Sequence, residues 1–278
     1  MSPYKHVVQY SGGLCSFWAA HRVISKHGKE NVTLLFADTM MEDEDLYRFN
    51  SDAEEFLGVA ITRIADGRTP WDVMRDERVI GRSGLDVCSR ILKRELLDKW
   101  RYANTTPDSS TMYLGLDWTE GHRMNGDAQR DGMVRKFAPW TVKAPMMDEP
   151  IWDKCRMMKE LASTGIKLPR LYTLGFPHNN CGGFCIKAGQ AHFAQLLRLM
   201  PERYAFHEAK EQEMRKIVGD YSVLNDRRGG RGKKVMTLEA FRKRVEAGED
   251  FDRHDWGGCG CAVESIKIHT DEQLPDII

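Results

Sequence analysis

The stretch His6–Ser16, HVVQYSGGLCS, decides the fold that we expect for this chain. Its first half is β-prone and ends in Ser-Gly-Gly, and the residues that follow, FWAAHRVI at 17–24, have helical spacing. A strand, a glycine turn and a helix N-terminus together bind phosphate well, because glycine lets the backbone approach an anion and the first helical N–H groups point at it. The hydroxyls of Ser11 and Ser16 add two donors. The stretch lacks both the lysine of a Walker loop and a G-x-G-x-x-G fingerprint.

Strand and helix patterns alternate after this stretch. Val32–Asp38 is apolar throughout and is predicted as a buried parallel strand. Asp43–Leu57 is predicted as a helix, and Val59–Ile64 and Met112–Asp117 as two further strands. This alternation predicts an α/β fold with a doubly wound, mostly parallel sheet.

Several polar residues are expected at one edge of that sheet. Ligands of doubly wound sheets bind beyond the carboxyl ends of the strands. The turn at residues 11–16, the pair Asp38-Thr39 and the tripeptide Asp66–Arg68 each follow a predicted strand. The charged, glycine-bearing residues Trp71–Gly84 are predicted as a loop over this site.

The overall charge gives no reason to expect nucleic-acid binding. The 278 residues include 41 basic and 41 acidic residues, so the formal net charge is zero. A local exception is Arg227–Lys234, RRGGRGKK, which is either a contact for nucleic-acid phosphates or a solvated basic loop.

Composition points to an intracellular, cytoplasmic protein. No run of about 18 apolar residues is present, so no membrane span is predicted. The N-terminus reaches the first strand without an apolar signal region. The chain has seven cysteines, an odd number that argues against a secreted disulfide framework.

Four cysteines form two close pairs that are typical of a metal site. Cys181 and Cys185 lie in CGGFC, and Cys259 and Cys261 lie in GGCGC. Four thiolates suit zinc or an iron–sulfur cluster, and the intervening glycines permit turns that aim two sulfurs at one ion. The alternative is two buried or redox-active cysteine pairs without metal.

Basic residues that follow Cys88 are candidates for binding an anionic group of a ligand. Arg90, Lys93 and Arg94 lie on one predicted basic helix, and Arg123 follows the strand that ends near Asp117. The alternative for each is a solvated surface position. Asp38 is predicted to accept from a ribose or to coordinate Mg²⁺, or else only to precede a helix.

Pieces of the chain resemble the phosphoadenosine phosphosulfate (PAPS) reductase-like branch of the PP-loop superfamily. Ser11–Ser16 resembles the PP-loop, S-G-G-x-D-S, and is followed in family order by Phe36–Thr39 and Cys88–Lys93. Gly115–Arg123 and Leu171–Phe176 resemble the later nucleotide-side loop and the approach to the family's cysteine pair. The branch includes assimilatory sulfonucleotide reductases and the sulfur-inserting enzyme of DNA phosphorothioation.

The chain departs from the family pattern at three places. Cys15 stands where the PP-loop usually has Asp, and the first cysteine pair is C-x₃-C rather than C-x₂-C. The catalytic Glu-Cys-Gly of the true reductases has only a distant counterpart, Cys259-Gly260-Cys261.

The resemblance implies an adenine nucleotide alpha hydrolase-like fold and an enzyme that binds ATP or PAPS. With ATP, a substrate oxygen attacks the α-phosphorus and pyrophosphate leaves, after which sulfur or nitrogen displaces AMP. With PAPS, a cysteine thiolate attacks the sulfuryl sulfur, as in an oxidoreductase rather than a transferase. A third possibility is a nucleotide- or metal-binding protein that has lost the chemistry. A sulfur-donor protein and a nucleic acid as modification substrate are the implied partners.

The resemblance also implies cofactors and site residues. A [4Fe–4S] cluster is favoured over zinc, Cys88 aligns loosely with a cluster ligand and is a possible substitute ligand, and Mg²⁺ is a further candidate. The expected nucleotide-binding residues are Ser11, Gly12, Gly13, Cys15, Ser16, Asp38, Arg90, Lys93 and Arg123.

Two domains are expected. Residues 1–168 are predicted as the PP-loop nucleotide-binding domain, and residues 169–278 as a helical region that carries the metal-binding cysteines.

Overall fold

The computed structural model describes residues 4–80, 86–127, 130–226 and 234–257. Five strands form one sheet in the order β3-β2-β1-β4-β7, and every neighbouring pair is parallel. Two small antiparallel pairs, β5 with β6 and β8 with β9, lie outside it. In chain order the strands are β1 Lys5–Gln9, β2 Val32–Asp38, β3 Ile61–Ala65, β4 Ser110–Leu114, β5 Gly126–Asp127, β6 Arg130–Asp131, β7 Thr141–Lys143, β8 Leu224–Asp226 and β9 Lys234–Met236.

The helices surround this sheet and form most of the C-terminal part. A π-helical turn, Arg90–Arg94, joins the fourth helix to the fifth. In chain order the helices are α1 Leu14–His27, α2 Glu44–Leu57, α3 Pro70–Asp76, α4 Val87–Ser89, α5 Glu95–Asn104, α6 Gly121–Asn125, α7 Met133–Phe137, α8 Lys154–Ser163, α9 Arg170–Thr173, α10 Gln190–Leu199, α11 Pro201–Val218 and α12 Leu238–Glu246.

Apolar side chains cover both faces of the sheet. Val8 in β1 packs into a cluster with Phe17 of α1 and Leu161 of α8. The adjacent Val7 points to the opposite face, where its cluster includes Phe137 of α7 and, at its margin, Leu97 of α5. Successive strand residues face opposite sides, so a continuous apolar strand is the pattern of a sheet covered twice. The predicted doubly wound α/β fold is confirmed.

A third apolar cluster joins the cysteine-bearing part to the part of the chain before Leu168. It contains Trp71 of α3 and Leu92 of the π turn together with Phe184 and with Phe241 of α12. The two parts therefore share one core, and the division near Leu168 stays a prediction.

The segment after β3 differs from its expectation. The predicted loop at 71–84 contains helix α3, which Thr69 caps: its Oγ1 accepts from the N–H of Asp72, and the Asp72 carboxylate accepts from the N–H of Thr69. Pro70 occupies the first helical position, where its missing N–H costs nothing.

Within the described ranges, no helix is both long and apolar enough to cross a membrane.

Candidate functional site

The loop between β1 and α1 is a tight turn held by one hydroxyl. Ser16 Oγ donates to Gly13 O (2.8 Å) and accepts from the N–H (3.2 Å) and the hydroxyl (3.1 Å) of Ser11. Ser16 is buried, whereas Ser11 is exposed. Ser16 therefore shapes the loop from inside, and Ser11 is the serine that solvent or a ligand reaches.

Gly12 requires glycine for two reasons. Its φ of 73° lies in the left-handed region. A Cβ there would lie 2.9 Å from Leu46 Cγ and 3.1 Å from Asn50 Oδ1, so α2 closes directly over the turn. Gly13 has an ordinary φ of −101° and is the N-cap of α1, without a side-chain cap.

The loop lies at the point where the order of the strands in the sheet reverses. The chain runs outward from β1 to β2 and β3, and then returns to place β4 on the other side of β1. Gly115, directly after β4, packs so closely on α1 that a Cβ would lie 2.6 Å from Ser16 Cα. Ligands of open α/β sheets bind in the crevice at such a reversal. The predicted phosphate loop lies at the expected place in the sheet.

Two side chains from the C-terminal part form hydrogen bonds with the backbone of the loop. Asn179 Nδ2 donates to Gly12 O (2.9 Å), and the Leu14 N–H donates to Tyr172 Oη (3.3 Å). Asn179 is only 1% exposed, so this contact is shielded from water. The loop is thereby fixed by residues more than 150 positions later in the chain.

Cys15, on the first turn of α1, is a neutral thiol. Burial raises its pKa, and the negative charges of Asp117 and Glu120 raise it further, against the smaller opposite effects of Lys154 and Arg22. The position that holds Asp in the PP-loop pattern thus carries no charge here, while two carboxylates lie across the crevice.

Asp38 lies at the end of β2 with its carboxylate enclosed. The side chain is fully buried and accepts from Tyr47 Oη (3.0 Å) and from the Met40 N–H (2.7 Å), and Arg63 Nη2 lies 2.6 Å away. These contacts close the turn after β2. A role for Asp38 in ribose or Mg²⁺ binding stays a prediction.

The charged side chains of the predicted basic helix lie in two different environments. Lys93 is mostly buried, lines a partly open cavity and has Nζ 3.9 Å from Glu42 Oε1. Arg90 is exposed and pairs with Glu95 (2.8 Å) and Glu77 (3.1 Å), and Arg94 pairs with Asp86 (2.5 Å). The structure therefore places Lys93 inside and Arg90 on the surface.

The cavity beside Lys93 brings together three predicted metal ligands. Cys88, Cys181 and Cys185 all line this space, whose volume is about 40 Å³. Among the described residues, no three His, Cys, Asp or Glu side chains are grouped closely enough to hold a metal ion. Cys259 and Cys261 lie outside the described residues.

Glu42 is a buried carboxylate bonded to two residues that line this cavity. It accepts from Thr39 Oγ1 (2.9 Å) and from the N–H of Cys181. Burial raises its pKa, against the opposing effects of Lys93, Thr39 and the Cys181 N–H. Glu42 connects the turn after β2 to the cysteine segment.

Two buried imidazoles are held neutral next to the cysteines. Burial lowers the pKa of His178 to about 3, with His192, Lys93 and Lys154 adding to the shift. Burial also lowers the pKa of His192 to about 4, and its Nε2 is 2.7 Å from Gly183 O. Both imidazoles are uncharged at neutral pH.

Two predicted binding residues or stretches remain, Arg123 and Arg227–Lys234. Arg123 pairs with Glu120 at the rim of the crevice, after β4. The basic stretch Arg227–Lys234 lies outside the described residues, except for Lys234, which begins β9.

Sequence reasoning missed Glu42, Lys154, His178 and Asn179. The three polar residues His178, Asn179 and Asn180 directly before CGGFC were the available signal, because polar side chains that precede a glycine-rich turn often bond backbone groups. Glu42 and Lys154 gave no comparable local signal.

No protein-family model matches the chain, and no curated protein matches it either. Among solved structures, it is similar to the phosphoadenylyl-sulfate (PAPS) reductase from Candida auris in its phosphate complex, at 15% identity and a TM-score of 0.42, over 61% of this chain and 77% of that chain. It is also similar to the NH3-dependent NAD synthetase from Campylobacter jejuni subsp. jejuni NCTC 11168 with nitrate, at 12% identity and a TM-score of 0.39, over 78% of this chain and 85% of that chain. The assignment of the fold class rests on the strand order and the parallel pairing.

Proposed function

We propose that this protein is a PP-loop enzyme that binds the phosphate groups of ATP or of PAPS at Ser11–Ser16. The observation that carries the proposal is the position of this loop between β1 and α1, at the reversal point of a parallel sheet. The N–H groups of Cys15 and Ser16 belong to the first turn of α1, where a helix has no internal partner for them. Lys93 supplies a positive charge to the cavity that Thr39, directly after β2, also lines.

The first chemistry to consider is adenylyl transfer from ATP. An acceptor oxygen attacks the α-phosphorus, a new O–P bond forms, and the bond to the bridging oxygen breaks so that pyrophosphate leaves with the electron pair. Such a reaction needs positioning and charge stabilisation more than a protein nucleophile. Cys15 is held protonated in the loop, which suits this chemistry better than attack by that thiol.

Reductive cleavage of PAPS is the second candidate. The observation that favours it is the common cavity of Cys88, Cys181 and Cys185. A thiolate from this group would attack the sulfuryl sulfur and form an S–S bond, while the S–O bond breaks and the nucleotide phosphate leaves. A second thiolate of the group would then attack the cysteine sulfur of this S-sulfonate, forming a disulfide and releasing sulfite.

We further propose that the cysteines hold a metal centre. Thiolates suit an iron–sulfur cluster or zinc, either of which would stabilise the cysteine-bearing part when bound. Cys181 and Cys185 would provide two ligands, Cys88 is a third candidate, and Cys259 or Cys261 would complete the set. The metal content of anaerobically purified protein tests this directly.

Product analysis separates the possible functions. Pyrophosphate release from ATP supports adenylyl transfer, and sulfite release from PAPS supports the reductase. Binding of either nucleotide without product indicates a protein that has lost the chemistry, and absence of binding contradicts the proposal. Nucleic acid is the acceptor substrate to add to these assays, and a persulfide-bearing protein is the sulfur donor. The effect of each on pyrophosphate release is measured.

A further inference from the structure

The segment Pro177–Cys185 lies between the phosphate loop and the cysteine cavity. Its contact with the loop is made by Asn179, whose Nδ2 donates to Gly12 O at 2.9 Å. Asn179 is 1% exposed, and among the described residues its Oδ1 accepts no hydrogen bond. An amide buried with an unsatisfied oxygen is costly, so its position is set by the surroundings rather than by its own preference.

Two residues after Asn179, the segment is fixed from the other side. The Cys181 N–H donates to Glu42. Arg203 Nη1 donates to Gly182 O (2.7 Å) and to Asp43 Oδ2 (2.6 Å). The segment is thus bonded to the turn after β2 as well as to the turn after β1.

The backbone at the cysteine is in a conformation that only strong restraint maintains. Cys181, Gly182 and Gly183 have φ angles of 54°, 58° and 77°. The left-handed region is unfavourable for a residue with a Cβ, so Cys181 stays there because its neighbours fix it. A Cβ at Gly182 would lie 2.9 Å from Met41 O, which leaves the segment little room to move.

We propose that Asn179 is a positioning residue that couples nucleotide binding at Ser11–Ser16 to the chemical state of the Cys181 thiol. The inference rests on the proposed nucleotide binding and adds a regulation to it. A modification of Cys181 displaces the restrained backbone, moves Asn179 and releases Gly12 O, which weakens nucleotide binding. Because binding free energies couple reciprocally, bound nucleotide also disfavours the modified form of Cys181.

The expected factor follows from one hydrogen bond. Loss of a buried hydrogen bond changes affinity by about three- to tenfold. Bound nucleotide is expected to slow the labelling of Cys181 as well.

The test measures thiol labelling with iodoacetamide by peptide mass spectrometry, with and without saturating ATP or PAPS. Any bound metal is first removed with a chelator, because a metal on Cys181 would itself block labelling. In the wild-type protein, nucleotide is expected to slow labelling of Cys181 at least threefold, while the exposed Cys155 on α8 is labelled at an unchanged rate. Protein already labelled at Cys181 is expected to bind nucleotide three- to tenfold more weakly in calorimetry.

Two variants assign the coupling to Asn179. Asn179→Ala is expected to bind nucleotide three- to tenfold more weakly and to lose the protection of Cys181 at saturating nucleotide. Asn180→Ala is the matched control, because Asn180 is also buried but its backbone bonds run to His178 and Gly183. It should keep wild-type protection. If Asn179→Ala does not fold, the isosteric Asn179→Asp removes the same donor, and labelled wild-type protein provides the second measurement.

Each remaining outcome has one meaning. Protection of Cys181 that persists in a folded Asn179 variant shows direct shielding by the nucleotide and overturns the role of Asn179. Nucleotide binding with unchanged Cys181 labelling in the wild-type protein overturns the coupling and leaves the proposed function intact. Failure of the wild-type protein to bind either nucleotide overturns both.

Discussion

Replacing Lys93 with methionine tests the charge that the structure places in the cavity beside Cys181. Methionine keeps the length of the side chain and removes the ammonium group. Arg90→Met is the matched control, because Arg90 lies three residues earlier in the same π turn but pairs on the surface with Glu77 and Glu95. Only the Lys93 variant is expected to bind nucleotide differently.

The magnitude follows from the type of contact. A hydrogen bond to a charged group contributes roughly 1.5–3 kcal/mol, which corresponds to a roughly 10- to 100-fold change in Kd. Calorimetric titration with ATP and with PAPS, at one fixed salt concentration, measures this change. Arg90→Met should stay within about twofold of the wild type, since exposed ion pairs contribute little.

Because of Glu42, Lys93→Met should also change how the free energy of unfolding depends on pH. Burial already raises the pKa of Glu42, and removal of Lys93 raises it further. A carboxyl whose pKa is raised in the folded protein holds a proton that the unfolded chain has released, so the free energy of unfolding falls as pH rises through that interval. The stability loss in Lys93→Met should therefore be larger at about pH 8 than at about pH 5, as measured by urea unfolding.

Two results would refute this reasoning. One is an unchanged Kd for both nucleotides in a folded Lys93→Met protein. The other is an equal loss of affinity in Arg90→Met, which would show that surface charge, and not the position inside the cavity, attracts the nucleotide.

Three further predictions concern the loop, a buried carboxyl and the cysteines. Gly13→Ala is compatible with the backbone but places a Cβ 3.2 Å from Tyr172 Oη, so nucleotide affinity should fall about tenfold, or about 1.4 kcal/mol. Gly121→Ala, with no atom within 4 Å of its Cβ, should bind normally, and equal affinities would remove Gly13 from the site. Burial raises the pKa of Glu211 to about 7, so its own contribution to the free energy of unfolding should fall by about 3 kcal/mol between about pH 4 and pH 8, whereas the buried imidazoles act in the opposite direction. The stability difference between the wild type and Glu211→Gln in urea unfolding should therefore change by that amount over this range, and a difference that does not vary with pH would contradict it. Cys181→Ser should lose bound metal and the protease resistance of the C-terminal part, whereas metal-free wild-type protein would refute the metal centre.

Local sequence determined the elements that build the sheet. A continuous apolar run predicts β2, observed at Val32–Asp38. Asp43 and Gly58 bound α2, the first by accepting from the Asp45 N–H and the second by its left-handed conformation. These signals work because a strand's burial and a helix's caps depend on residues only a few positions apart. Helix α3 carried equally local signals, Thr69-Pro70 and Asp72, and was predictable from them.

Tertiary structure decided which of the candidate residues face one another. The sequence places Arg90 and Lys93 on one basic helix, but the π turn and the surrounding packing send Lys93 to the cavity and Arg90 to the surface. The bond from Asn179 to Gly12 joins positions 167 residues apart, and no pattern within either segment specifies it. Periodicity and capping report on neighbours along the chain, whereas such contacts depend on how the β-α units and the C-terminal helices pack together. The sequence by itself therefore determined the strand–turn–helix order at the start of the chain, and only the fold determined what surrounds that turn.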